Sequence, residues 1–203
     1  MTPMPRTINE KHRKNKIRKI LESARTVFYR KGFLNVTMQD IIDECGISRG
    51  GIYLYFTSVD EIFQEVIRQR NKEKFSIISK AVQENAPFDE VFDNYMLLQK
   101  ERLINIEASH FRAYCEYVFS KPKGTVLAFR DAQLAHLRKS VLSILNLGVR
   151  QNLIKNEKID IVADHIIVTI DGLSILALGG ALTPDVVENQ FKVLGEMIND
   201  KRV

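Results

Sequence analysis

TMQDIIDECGISRGGIYLYF, residues 37–56, reads as a helix, a tight turn and a second short helix. Thr37 stands where a side-chain oxygen can cap free helix N–H groups, and Asp40 occupies the acid position of a capping box. Ile41, Ile42 and Cys45 fall on one helical face, and Gly46 permits a sharp turn where a side chain would be strained. Ile47 is expected to bury under that turn. Ser48 caps the next helix, which is expected to run to about residue 55 with Ile52 and Phe56 as inward anchors. Gly50 and Gly51 are poor helix formers, so their use near the helix start implies close approach of the backbone, either to the preceding helix or to DNA. Arg49, Tyr53 and Tyr55 remain for the outer surface. A unit of this design lays its second helix into the major groove of DNA.

Charge supports a polyanionic partner at this end of the chain. Residues 1–58 hold 11 Lys/Arg against 5 Asp/Glu, whereas residues 59–203 hold 19 against 20, so the net charge of +5 resides wholly in the N-terminal part. Residues 1–9 carry Pro3 and Pro5 without periodicity and read as a mobile tail. A basic amphipathic helix is expected over residues 10–31, with Ile17, Ile20, Leu21, Ala24, Val27 and Phe28 on one stripe. Gly32 is placed to end it as a left-handed cap, and Phe33 can fold back onto the stripe.

Downstream, Ser58-Val59-Asp60-Glu61 has the pattern of a full capping box and opens a helix over residues 59–83. Further helices are expected over residues 88–105, with Val91, Phe92, Tyr95, Leu98 and Leu103 inward, and over the aromatic segment 107–119. A long one follows over residues 125–151, with Leu127, Leu134, Leu137, Val141, Leu145 and Val149 buried. The last two cover residues 159–182 and 184–200. No strand alternation and no internal repeat is evident. The expected architecture is all-α, with about nine helices: an N-terminal helix-turn-helix bundle over residues 1–58 and a larger helical domain over residues 59–203.

The 203 residues and their 45% hydrophobic content suffice for a sizeable core. The most apolar segment, residues 161–182, is interrupted by Asp164, His165 and Asp171, and no apolar run approaches the roughly 20 residues that span a bilayer. The first sixteen residues lack the apolar core of a secretory signal, so a cytoplasmic location without membrane attachment is expected. The two cysteines, Cys45 and Cys115, are then expected reduced and buried. No Cys/His grouping has metal-ligand spacing, and neither a metal nor a cofactor is expected.

Residues 13–63 resemble the TetR/AcrR family of transcriptional regulators. The family pattern, a basic helix ending F-x-x-x-G-[FY] followed by a threonine-capped G-[VI]-S-x-G-x-[LI]-Y-x-[YH]-F motif, is met by Phe28, Gly32 and Phe33, then by Thr37, Ile41, Gly46, Ile47, Ser48, Gly50, Ile52, Tyr53, Tyr55, Phe56, Ser58 and Ile62. Ile42 and Cys45 replace the usual alanines. Val59 replaces a lysine that in the family often touches a phosphate, and Gly51 stands where a small polar residue often reads a base. The Asp171-Gly172-Leu173 segment of a late apolar helix is another recurring family feature.

The resemblance implies a homodimer on a double-stranded DNA operator, with an unidentified small-molecule effector bound in the C-terminal part. At the DNA, Arg49 suits guanine O6 and N7, and Gln39, at a base-contacting family position, suits adenine. Tyr53 and Tyr55 offer a hydroxyl to phosphate and a ring to a thymine methyl. Thr37 and Ser48 sit at helix N-termini that favour phosphate, Gly51 lies between them and the tyrosines, and Lys14 and Lys16 can reach the backbone. The effector site is expected among Phe92, Tyr95, His110, Phe111, Tyr114, Tyr117 and Phe129. The dimer interface is expected to use Leu176, Gly180, Val187, Phe191, Leu194 and Ile198.

Two other classes of protein carry such a motif. A DNA-acting enzyme such as a recombinase needs a nucleophile with clustered acids or arginines, and no such constellation or phosphate-binding glycine loop is present, so no enzyme is expected. A helical interaction protein that has lost DNA binding would draw only on Val59 and Gly51.

Overall fold

The computed structural model describes residues 6–199; Pro3, Pro5 and Asp200, named above in the tail and the last helix, lie outside the described residues. Among the described residues there are nine α-helices and no strand. They are α1 (Arg6–Lys31), α2 (Met38–Cys45), α3 (Arg49–Tyr53), α4 (Val59–Gln83), α5 (Phe88–Ile104), α6 (Phe111–Ser120), α7 (Lys123–Arg150), α8 (Ile159–Leu178) and α9 (Pro184–Asn199), with a 3-10 turn at Ile106–Ala108 before α6. The chain divides into two compact units, residues 1–70 with 113–121, and residues 71–112 with 122–203. The division falls inside α4 and inside α6.

The first unit grows from the stripe on α1. Ile20, Leu21, Ala24, Val27 and Phe28 are buried, and α1 begins at Arg6, so residues 6–9 are helical rather than part of a tail. Gly32 ends the helix in the left-handed region, with φ 75° and its N–H donated to the Phe28 carbonyl at 3.0 Å. That reversal folds Phe33 back among Phe28, Phe63 and Tyr117. The ring centroids of Phe28 and Phe63 lie 4.9 Å apart, those of Phe33 and Phe63 5.1 Å, and those of Phe33 and Tyr117 4.8 Å, each pair edge to face. Such pairs contribute about 0.5–1.5 kcal/mol each beyond their buried area. At the start of α4 only half of the capping box forms as expected: Ser58 Oγ accepts the Glu61 N–H at 3.2 Å, but the Glu61 carboxylate reaches past Ser58 to the Thr57 N–H at 2.7 Å.

The second unit buries one face each of α5, α7, α8 and α9. Its core includes Phe88, Leu103, Leu145, Leu147, Ala163, Ile166 and Leu194. Gly148 lets the Phe88 ring lie against α7, where an added Cβ would come within 2.9 Å of it. Gln151 closes the same corner by accepting the Phe88 N–H at 2.9 Å and donating to the Ala86 carbonyl at 2.8 Å, which supplies the cap that Pro87 cannot give α5.

Four expected core leucines are on the surface. Leu98, Leu127, Leu134 and Leu137 are exposed, and Met96, Val126, Ile144 and Leu147 are buried instead. Of α7, only the stretch from Val141 onward joins this core cluster; in the earlier half Val126 is buried while Leu127, Leu134 and Leu137 lie on the exposed face. Helix α8 does reach 20 residues, long and apolar enough to cross a membrane by length and composition, but Val162, Ala163, Ile166, Ile167, Ile170 and Leu173 on it are buried in the second unit.

Candidate DNA-binding surface

The expected helix-turn-helix is present, and its local chemistry explains each bend. At α2 both halves of the capping box form: Thr37 Oγ1 accepts the Asp40 N–H at 3.2 Å, and Asp40 Oδ2 accepts the Thr37 N–H at 2.9 Å. Asp40 also meets Lys31 at 2.5 Å. That bond, reinforced by the two from Thr37, holds the Asp40 pKa down to about 2. Arg30 pairs with Glu44 further along α2, so two basic residues at the end of α1 are committed to holding α2 in place. Gly46 takes the left-handed cap at φ 62°, donating its N–H to the Ile42 carbonyl at 2.9 Å. The expected inner face is buried: Ile41, Ile42, Cys45, Ile47, Ile52 and Phe56.

Helix α3 is short, ending at Tyr53 rather than residue 55. Ser48 Oγ caps it by accepting the Gly51 N–H at 3.2 Å. The two glycines have different roles. A Cβ on Gly51 would lie 2.8 Å from Ile47 Cγ2 and 3.0 Å from Ser48 Oγ, so this glycine serves the packing of the turn itself. A Cβ on Gly50 would meet no atom of the chain within 4 Å, so nothing internal requires a glycine there.

Around that open backbone lie the outward side chains. Arg49 is exposed and, among the described residues, pairs with no acidic side chain. Tyr53 is 43% exposed, Tyr55 is half-buried, and Leu54, not singled out from the sequence, is 78% exposed. Gln39 is exposed, but its Nε2 donates to Asp43 Oδ1 at 2.7 Å, a bond it must exchange to reach a base. On α1, Lys14 is exposed and Lys16 half-buried. The positions expected to touch DNA thus fall in one unit: on α1, near the capped starts of α2 and α3, and, for Tyr53 and Tyr55, at and just beyond the end of α3.

The expected effector residues are divided between the two units. Tyr114 and Tyr117 belong to the first unit. Tyr117 is fully buried in its aromatic cluster, and its hydroxyl accepts from Gln64 Nε2 at 2.6 Å. In the second unit Phe92 packs into the core against Phe88 with ring centroids 5.6 Å apart, His110 is buried, and Phe129 is half-buried. Burial pushes the Tyr95 hydroxyl up to about 12. Sequence reasoning missed the polar partners around it. Arg102 donates from Nη2 to Ser174 Oγ at 2.9 Å and from Nε to Gln99 Oε1 at 3.1 Å, and its guanidinium lies 5.5 Å from the Phe111 ring centre. Burial lowers the pKa of Arg102 and raises that of Asp171, and the field of each charge on the other opposes both shifts. Asp171 stood out as a family feature; nothing in the spacing of α5 distinguished Arg102 from a surface cation.

The expected dimer residues divide by exposure. Val187, Phe191, Leu194 and Ile198 are 0–5% exposed, buried within the chain's own second unit. The strongest apolar face of an amphipathic helix is covered first by its own chain. Leu176 and Gly180 remain exposed, and the apolar side chains left on the surface are Ile161, Val168 and Ile175 of α8, and Val186 and Val193 of α9.

A helix-turn-helix built on a basic first helix and followed by a larger helical unit defines the class as an all-α helix-turn-helix protein. The family described as bacterial regulatory proteins, tetR family, matches residues 20–66, the stretch that contains the motif and its capped neighbours. The HTH-type transcriptional regulator YfiR of Bacillus subtilis is 48% identical over 60 residues, 30% of this chain and 29% of that one, so the match spans under a third of that relative's length. The HTH-type transcriptional regulator TtgR of Pseudomonas putida is 25% identical over 147 residues, 68% of each chain. Among solved structures, a transcriptional regulator from Saccharomonospora viridis in complex with choline superposes with a TM-score of 0.70 at 24% identity, covering 92% of this chain and 96% of that one. The helical architecture is therefore shared along nearly the whole chain.

Proposed function

We propose that this protein is a transcriptional regulator that binds a palindromic DNA operator as a homodimer, acting as a cytoplasmic repressor that a small-molecule effector releases. The observation that carries the reading is the capped start of α3, where exposed Arg49 adjoins the open backbone of Gly50. A forked cation beside a backbone without side chain suits close approach to base edges in a major groove. The excess of positive charge in residues 1–58 supplies the sequence-independent attraction. Two recognition helices in successive major grooves must stand about 34 Å apart, which requires a pair of chains. The apolar side chains left exposed on α8 and α9 are suited to make that pair.

Sensing would fall to the second unit, where the half-buried Tyr95, Arg102 and Asp171 and the buried Ser174 place polar groups against an apolar core. An effector that prefers one arrangement of this unit shifts the population away from the DNA-binding one. Selection of duplexes from a random-sequence library, followed by titration against salt, tests the reading. Enrichment of an inverted repeat, with affinity falling as salt rises, is expected. Enrichment of no motif overturns it, and cleavage or joining of the duplex would mark a DNA-acting enzyme instead.

A further inference from the structure

The turn between α1 and α2 is held from outside the helix-turn-helix. Glu116 on α6 directs one carboxylate oxygen, Oε2, at two consecutive backbone amides, accepting from Phe33 N–H at 2.6 Å and from Leu34 N–H at 3.0 Å. The same carboxylate fills the space above Gly32, where an added Cβ would lie 2.7 Å from Oε1. Gly32 is thus required twice, once for its left-handed φ of 75° and once to admit the carboxylate. The residues flanking Glu116 keep it there. Tyr117 packs edge to face on Phe33 with centroids 4.8 Å apart and receives the Gln64 hydrogen bond, and Lys121 meets Asp60 at 2.5 Å. The segment carrying these contacts, residues 113–121, clusters with the first unit, while the two residues that begin α6, Phe111 and Arg112, cluster with the second.

We propose that Glu116 is a positioning residue for DNA recognition: its carboxylate fixes the α1–α2 turn by two amides and so sets how α2 and α3 are presented by α1. The inference rests on the reading of the first unit as DNA-binding. Accepting two N–H groups with one charged oxygen makes this hold strong and narrow. A bond of this kind is lost once donor and acceptor separate beyond about 3.5 Å, so a shift of α6 by roughly 1 Å against the turn releases it.

The test compares full-length wild type, Glu116→Gln and Glu116→Ala on two duplexes, one recovered by selection with the wild type and one scrambled. For Glu116→Ala, affinity for the selected duplex is expected to fall about tenfold or more, equivalent to about 1.4 kcal/mol, with binding to the scrambled duplex within about twofold of wild type. Glu116→Gln keeps an acceptor oxygen and is expected to recover most of the loss. In DNA-free spectra of backbone amides, the Phe33 and Leu34 signals are expected to move in both variants while helical ellipticity is kept. Selected-duplex binding by Glu116→Ala within about twofold of wild type overturns the proposal, and so does an equal loss on both duplexes. Should Glu116→Ala fail to fold, Glu116→Gln decides: unmoved Phe33 and Leu34 amides overturn it. A wild type that selects no duplex marks failure of the functional reading itself.

Discussion

Lys31 Nζ lies 2.5 Å from Asp40 Oδ1, fastening the last turn of α1 to the first turn of α2. The same carboxylate closes the capping box with Thr37, so one side chain both starts α2 and ties it to its neighbour. Its pKa falls from the ordinary 3.8 to about 2, chiefly through the Lys31 hydrogen bond. A depressed acid stabilises the fold above its unfolded pKa and loses that contribution as pH drops through the folded one. The loss is therefore expected between about pH 4 and pH 2. It should amount to no more than about 1 kcal/mol, because the pair stands largely in water. Thermal melts of wild type and Asp40→Asn check this: the wild type should be the more stable at about pH 5, with the gap closing near pH 2.

Arg49→Ala is expected to cost about 1–3 kcal/mol of specific binding and to relax the preference at one base pair, because a forked guanidinium reads guanine bidentately. Repeating the duplex selection with the variant checks it. An unchanged motif would remove Arg49 from base reading.

The glycines of α3 separate stability from binding. Gly51→Ala forces a Cβ to 2.8 Å from Ile47 Cγ2 and should lower the melting temperature. Gly50→Ala meets nothing within 4 Å and should hold or raise stability by up to about 1 kcal/mol through helix propensity. If DNA approaches the bare backbone at Gly50, the same variant should nevertheless bind its operator less tightly. Melting and affinity moving in opposite directions is the expected signature.

Lys14→Ala and Lys16→Ala should weaken selected and scrambled duplexes alike, each lowering the slope of log affinity against log salt by about 1. A loss confined to the selected duplex would instead place these lysines at base edges.

How much of this surface could be read beforehand depended on whether the determining interactions were local. The Thr37–Asp40 box, the Gly46 reversal and the Ser48 cap are each set within four residues, and all three form as the sequence implies. The Phe28–Gly32–Phe33 reversal was legible for the same reason. Glu116, 82–83 residues from the amides it holds, left no mark in any local pattern. Periodicity gave the apolar faces of α7 and α9 but not what covers them. Leu134 has no core neighbour to bury it, whereas Phe191 is used up inside its own unit. Burial of a charge such as Arg102 likewise depends on α8 arriving beside α5, which spacing along α5 does not encode.

The exposed faces of α8 and α9 lead to a test of assembly that a monomer and a dimer answer differently. Phe191 is 5% exposed in the second unit's core, so Phe191→Ala should destabilise the chain by about 3–5 kcal/mol whether or not chains associate. Val168 is 70% exposed on α8, on a helix whose opposite face is already buried. In an isolated chain Val168→Asp would change stability by no more than about 0.5 kcal/mol, as surface substitutions do. If α8 meets a second copy of itself, two carboxylates enter an apolar contact at once, and association should weaken by well over tenfold. Sedimentation at micromolar concentration is expected to show a wild-type dimer and a folded Val168→Asp monomer. Operator affinity should fall with the loss of the second recognition helix. A wild type that sediments as a monomer would end the dimer reading, and a Val168→Asp variant that stays dimeric would move the interface off this face of α8.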